Sequence, residues 1–486
     1  MAKSSSIPAP AWVWCSKVFP LSLGWLLATH WTFLDLPYHW DELGQFVPAA
    51  RDLLHSGAVV PRSTLPNVHP PLLMAYLAGA WKLFGFSIPV TRVAMLMVGA
   101  ATLTMVSLLG RRLSGARAGL AAAALAAVSP PFVAQGMLAH LDLAATFWVL
   151  VTLYWFLDRR WWLCAVASTA LVLTKETGVI VPLVLAVVAR REKRRLLPLA
   201  LPMLALACWL VVLRSSTGHW LGSAEFERYN VDEALRAGRI PLVLLRRVYQ
   251  VAFANFHWVA TLALVAGRKA LGPGWGPIGA VAGACVALHS VLGGAILLRY
   301  LLPVLALFYI ATAAALEPVS RRLRRGCLAV LLAGLAVSNW WNPPYPFGYE
   351  DNLAVVDFVR LQQQAARWAG EHAGERTVTT AWPLTDALTT PWAGYVSRPV
   401  RVRAVENFQP QSWKVVEGDG LELVMLYSRS WEPKRGWQRW PPAAGMLERW
   451  FGYRPQISRQ ELMARFRLRS VARWERRGQW IEVFLR

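Results

Sequence analysis

Two adjacent carboxylates, Asp41 and Glu42, stand directly after the first apolar stretch of the chain, in Pro37-Tyr38-His39-Trp40-Asp41-Glu42. Ionised groups at a membrane surface are costly unless they have a partner or a task. Adjacent carboxylates repel one another, which suits one of them to take up a proton as a general base. A structural reading competes: either acid can start a helix running to Leu54, where a negative charge favours the helix dipole. The two roles are compatible.

Other candidates follow along the chain. His69-Pro70-Pro71-Leu72 fixes an extended turn before a short apolar stretch; His69 is a candidate for substrate or metal contact, against the ordinary structural role of a lone histidine. Arg92 opens a long apolar span, where it contacts a lipid phosphate or snorkels to headgroups. Asp142, two residues after His140, lies near the end of another span, and an intramembrane acid is a functional candidate by default. Its alternative is an ion pair with Lys175 or Arg92. Lys175-Glu176 interrupts one apolar run and Arg299-Tyr300 opens another, in Leu297-Leu298-Arg299-Tyr300-Leu301-Leu302-Pro303. Lys and Arg neutralise phosphate by charge, Arg also through a bidentate fork. For each, headgroup contact or a local ion pair is the alternative.

Membrane-embedded elements must position these residues. Of the 486 residues 56% are hydrophobic and only 16% charged, and the mean hydropathy is +0.36; soluble proteins carry about 25% charged residues. Apolar segments lie near 18–34, 89–110, 118–134, 139–157, 161–174, 177–189, 196–213, 243–266, 275–295, 300–317 and 327–341. The expectation is a polytopic α-helical membrane protein with about 11 transmembrane helices. A net charge of +23 would suggest nucleic acid in a soluble chain. Here the basic residues cluster in short loops at 111–117, 158–160, 190–195, 268–269 and 321–325, so no nucleic-acid partner is expected. Positive loops mark the cytoplasmic side, and with residues 1–17 inside, every basic loop falls there. The segments 161–174 and 177–189 are short for spans, and 174–178 reads as a tight turn between them; one long helix with a buried Lys-Glu pair is the alternative. The N-terminus shows no clear cleavage site, so the first apolar run is expected to be retained.

Three regions are then extracytoplasmic: the loop 35–88, a polar loop about 214–242, and the tail 342–486. The tail suits a small α/β domain, with a helix over 351–369 and strands over 377–381, 400–405, 421–427 and 480–485. It is rich in Trp and Pro, as in Trp431-Glu432-Pro433 and Trp440-Pro441-Pro442. Five cysteines, Cys15, Cys164, Cys208, Cys285 and Cys327, lie in or beside apolar runs at no metal-site spacing, as free thiols do. No Walker loop, Gly-x-Gly-x-x-Gly after a strand, His-Glu-x-x-His or Gly-x-Ser-x-Gly is present. Gly272-Pro273-Gly274-Trp275-Gly276 reads as a turn.

A first helix, an Asp-Glu pair in the following loop and Pro-Pro-Leu before the chain returns to the membrane resemble the GT-C membrane glycosyltransferases. The nearest group is that of the protein O-mannosyltransferases and lipid A aminoarabinose transferases. Gly85-x-Ser87 leading to Arg92, Asp142, Leu173-Thr174-Lys175 and Arg299-Tyr300-Leu301-Leu302-Pro303 extend the resemblance over about 20–320. It implies a GT-C fold and an inverting transfer of a sugar from a polyprenyl-phosphate donor to a glycan, lipid or protein acceptor at the outer face, in a bacterial inner (plasma) membrane. It implies Asp41 as general base and Glu42 as the group that orients sugar or acceptor. Arg92, Lys175 and Arg299 would stabilise charge on the leaving phosphate, and Tyr300 would help to hold it. No redox cofactor is implied, and a divalent metal is optional. The competing classes are a transporter or lipid flippase, which would explain intramembrane charges but is usually built on repeats, and a non-catalytic assembly protein, which would leave Asp41-Glu42 unexplained.

Overall fold

The computed structural model describes residues 10–191, 197–232, 234–236, 238–343, 347–416, 420–429, 440–451 and 455–486. The loop expected at 190–195 and the Trp431-Glu432-Pro433 segment lie wholly or partly outside them. The first helix, α1, covers Ala11–His30, starting earlier than the apolar run itself. Loop 35–88 is largely helical, with α2 over Val47–Ser56, in line with the helix read as running to Leu54, and α3 over Leu72–Phe84, which the sequence reading lacks. Helix α4, Ile88–Ser114, is opened by Ser87, whose Oγ accepts from the Val90 N–H at 3.3 Å, and closed by Gly115 at φ +93°.

The remaining helices follow the apolar segments. They are α5 (Ala116–Val128), α6 (Pro130–Met137), α7 (Leu141–Leu157), α8 (Trp161–Thr174), α9 (Ile180–Val188), α10 (Ala200–Thr217), the single turn α11 (Ala224–Glu227), α12 (Arg239–Ala252), α13 (His257–Gly267), α14 (Gly276–Val291), α15 (Leu302–Leu316) and α16 (Arg321–Ser338). Among the described residues five helices are long and apolar enough to cross a bilayer, or seven if each bent pair is one span. The expected eleven segments are thus all helical, but α7, α8 and the 176–188 stretch are shorter than a full span. The chain leaves the helix at Lys175 (φ −151°, ψ 123°). It then turns back, so that a Cβ on Gly178 would lie 2.6 Å from Leu171 Cγ; the turn expected at 174–178 is present.

Two helices are broken. The α5–α6 pair bends by 68° and the α12–α13 pair by 48°. At the first break Ser129 is extended ahead of Pro130. At the second Asn255 and Phe256 have φ of +51° and +66°. In an apolar interior the freed backbone groups need partners. Asn339 Nδ2 donates to Val128 O at 2.9 Å, and Thr261 Oγ1 to Ala252 O at 2.7 Å. One residue reaches both breaks: the Tyr309 hydroxyl lies 2.7 Å from Ser129 Oγ and 2.8 Å from His257 Nε2.

Beyond α16 come α17 (Ala354–His372), α18 (Leu384–Thr389), α19 (Pro441–Phe451) and α20 (Arg459–Phe466), with a five-stranded sheet. Its strands are β1 (Val378–Ala381), β2 (Val402–Val405), β3 (Leu423–Tyr427), β4 (Arg469–Arg476) and β5 (Gln479–Leu485), in the order β2-β1-β3-β5-β4. β1 pairs in parallel with β2 and β3, whereas β3–β5 and β5–β4 are antiparallel. Four strands match the sequence reading; β4 does not. The apolar core beneath this sheet is continuous with loop 35–88: Leu36, Tyr38 and Phe46 belong to one buried cluster with Val355, Leu423 and Phe484.

Candidate functional site

Asp41 occupies the cap position of a π-helical turn, Glu42–Phe46, that leads into α2. Such turns recur at functional sites. The residue before it, Trp40, is held at φ +46°, a conformation costly for a bulky side chain. Trp40 packs edge-on against Trp382 at 4.6 Å. Asp41 makes no capping hydrogen bond; its carboxylate instead accepts from Arg299 Nη2. The helix-start reading is therefore right for the backbone and not for the side chain.

Arg299 is the hub. It lies in the turn Leu298–Leu301 before α15 and is almost fully buried. Besides Asp41 it meets Asp142 Oδ2 through Nε at 3.3 Å, an ion contact not angled for a hydrogen bond. Its Nη1 donates to Glu350 Oε2 at 3.3 Å and lies 2.7 Å from His140 Nδ1. Asp142 also binds Lys175 Nζ at 2.5 Å, and that ammonium stands 4.2 Å from the Tyr300 ring centre. The Tyr300 ring stacks on His289 at 5.4 Å. Asp142, Lys175, His289 and Tyr300 line a cavity of about 30 Å³, room for about one water. Asp41, Asp142, Lys175, Arg299 and Tyr300 thus form one connected cluster. At the opposite end of α7, Arg112 bridges to Asp158 at 3.1 Å; along this helix the separation is roughly 25 Å.

Glu42 and Arg92 face elsewhere. Both are 0% exposed. The guanidinium binds both Glu42 oxygens and donates to Leu36 O, Pro37 O and Met137 O at 2.9, 3.0 and 2.7 Å. Glu42 also accepts from the His39 and Ala139 amides at 2.9 and 2.7 Å. Arg92 therefore does not snorkel, and neither residue presents a free polar face to a ligand. The reason is the Glu42 partner 50 residues away, without which so deep an arginine would be prohibitive. His69 is apart from the cluster too: its Nδ1 lies 2.8 Å from Glu176 Oε2, between the Phe46 and Phe226 rings. Among the described residues no group of three His, Cys, Asp or Glu side chains is placed to hold a metal ion.

Glu350, His39 and Trp382 belong to the site without a place in the sequence reading. The Tyr349–Asp351 turn delivers Glu350. Its burial, with Asp41, Asp351 and Asp142 acting in the same direction, pushes it up to about 8 against the pull of Arg299. Burial, assisted by Arg299 and Arg92, brings His39 down to about 3. The sequence carries a signal for this turn: Glu350-Asp351, like Asp41-Glu42, is a pair of adjacent acids shortly after an apolar segment.

Fold and site define a polytopic helical membrane protein with an Asp–Arg cluster beneath a C-terminal α/β layer. Residues 68–219 match the family described as dolichyl-phosphate-mannose-protein mannosyltransferase. The whole fold is similar to the crystal structure of ArnT from Cupriavidus metallidurans bound to undecaprenyl phosphate, at TM-score 0.59 and 15% identity over 98% of both chains. The apo form of that protein gives TM-score 0.56 and 16% identity, again over 98% of both chains. No curated protein matches. Over 68–219 the chain is thus similar to that family, as its motifs suggested, and its whole fold is similar to that of ArnT.

Proposed function

We propose that this protein is an inverting glycosyltransferase, moving a sugar from a polyprenyl-phosphate donor to an acceptor hydroxyl on a lipid, glycan or protein at the outer face of a membrane. The observation that carries this reading is that Asp41 is the more open acid of the buried cluster, its side chain 16% exposed against 6% for Asp142 and 5% for Glu350. An undecaprenyl-phosphate-bound relative of the same fold supports the donor class.

In this mechanism Asp41 takes the proton of the acceptor hydroxyl as its oxygen bonds to the anomeric carbon. The bond from that carbon to the phosphate oxygen breaks, and its electron pair leaves with the polyprenyl phosphate. Arg299, and Lys175 beyond Asp142, are the cations for the growing phosphate charge; the Tyr300 ring holds both in place. The buried Glu42–Arg92 pair acts from behind, fixing the backbone that presents Asp41. His69, with Glu176, is a candidate acceptor or donor contact at the edge. This chemistry needs no redox cofactor. The cluster lies outside the cytoplasm, with the N-terminus inside and residues 342–486 as an extracytoplasmic domain on a bacterial inner membrane.

The test is Asp41→Asn in purified protein given a polyprenyl-phosphate sugar. Transfer should fall by about 10²-fold or more with the melting temperature retained; near-wild-type transfer would overturn the assignment.

A further inference from the structure

The Tyr349–Asp351 turn is anchored on both sides before any substrate arrives. Gln135 Nε2, from α6, donates to Glu350 O at 3.2 Å. Asp351 Oδ1 accepts from the Leu298 N–H at 3.2 Å, one residue before Arg299. A C-terminal acid is thereby fixed onto the element that carries the hub arginine. Around the single Arg299 guanidinium stand Asp41, Asp142 and Glu350. Among these three acids Lys175 pairs with Asp142. Full ionisation would place three buried negative charges against two positive ones, which a low-dielectric pocket resists. Two polar atoms beside the hub, Glu350 Oε1 and His140 Nε2, are buried without a hydrogen-bond partner among the described residues.

We propose that Glu350 is a positioning residue of the site: as a neutral acid it leaves the Arg299 guanidinium to Asp41, and on ionisation it competes with Asp41 for it. The inference rests on the transferase reading only where activity is the readout. The groups facing Glu350 are Arg299, His140, Tyr300, Asp41, Asp142 and Asp351; Arg246 and Arg247 of α12 act on Asp351. Arg299 favours ionised Glu350, whereas burial and the carboxylates oppose it more strongly, so the group carries its proton near neutral pH. The ionised form would then meet Arg299 as a full anion 3.3 Å away and draw it from Asp41, the proposed base. The C-terminal segment contributes to the reacting cluster through this contact, rather than only covering it.

The experiment compares Glu350→Gln with the wild type. Glutamine has the shape of the neutral acid and cannot ionise. The ratio of transfer rates at pH 9 and pH 6.5 should drop about tenfold in the wild type and stay within about twofold in Glu350→Gln. A merely structural glutamate would lower the melting temperature of the variant and leave the ratio as in the wild type, which overturns the proposal. Failure of Glu350→Gln to fold would overturn it equally, since the neutral form would then not suffice. Infrared titration of the resting protein keeps this independent of the transferase assignment. A protonated carboxylic band that disappears near pH 8 in the wild type, and is missing in Glu350→Gln, supports the proposal even if no sugar donor is turned over. Identical titrations of the two proteins would refute it.

Discussion

Arg92 and Glu42 hold each other in complete isolation from solvent, each also bonded to backbone of the segment around Asp41. The pair acts as a fastener between α4 and the acidic turn. Truncation of one member leaves the other as a buried uncompensated charge, a loss of about 3–5 kcal/mol. Arg92→Ala and Glu42→Ala should each lower the melting temperature sharply in detergent. The double variant should be less destabilised than the sum of the two.

Lys175 acts on Arg299 through Asp142. With Lys175→Gln, Asp142 keeps its charge and has only Arg299 to pair with, so Asp41 loses its share of the guanidinium. Transfer should fall, and Asp142→Asn in the same chain should restore part of the rate. A non-additive coupling of about 0.5–3 kcal/mol in log rate is expected for groups in such a network; strict additivity would argue that the three residues act separately.

His39 sets an acid limit on stability. Its folded-state value of about 3 lies below the ordinary imidazole value of 6.5. Between these limits the unfolded chain binds a proton that the native chain does not, so this contribution is complete above about 6.5 and fades as pH falls towards 3. Glu350 has the opposite sign. Raised to about 8 from 4.5, it stabilises fully below 4.5 and loses that contribution as pH rises through 8. Denaturation midpoints followed across pH should lose the acid slope in His39→Gln and the alkaline slope in Glu350→Gln.

Gly44 lies under Trp382. A Cβ there would stand 2.9 Å from Trp382 Cζ2, so the indole must shift and with it the Trp40 contact beside Asp41. Gly44→Ala should cost about 1–3 kcal/mol, and in a Trp382→Ala background most of that cost should vanish. Equal penalties in both backgrounds, read by thermal melts, would show that the indole is not the obstacle.

The membrane part was largely legible because a bilayer imposes long apolar runs, and even the break at Lys175 announced itself by its charges. The strand β4 did not: Arg469 to Arg476 holds three arginines and a glutamate among its eight residues, and the strand lies at the sheet edge, half exposed. Site residues could be collected from the sequence, and the Asp142–Lys175 pair was among the alternatives it offered, but the other pairings were not. Asp41 and Arg299 are 258 residues apart, and nothing local distinguishes an arginine at a lipid headgroup from Arg92 in a sealed pair. Helix α3 inside loop 35–88 was hidden for a related reason: it is apolar but only 13 residues long, and reads as approach to the membrane.

The Tyr309 hydroxyl, shared by Ser129 and His257, joins the two places where the bundle has given up helical backbone. Neither half-helix can swing without stretching a bond to the same oxygen. The α5–α6 and α12–α13 elbows are therefore not independent joints: any rearrangement that lets a long lipid chain slip between them has to move both together or break the pin at their crossing.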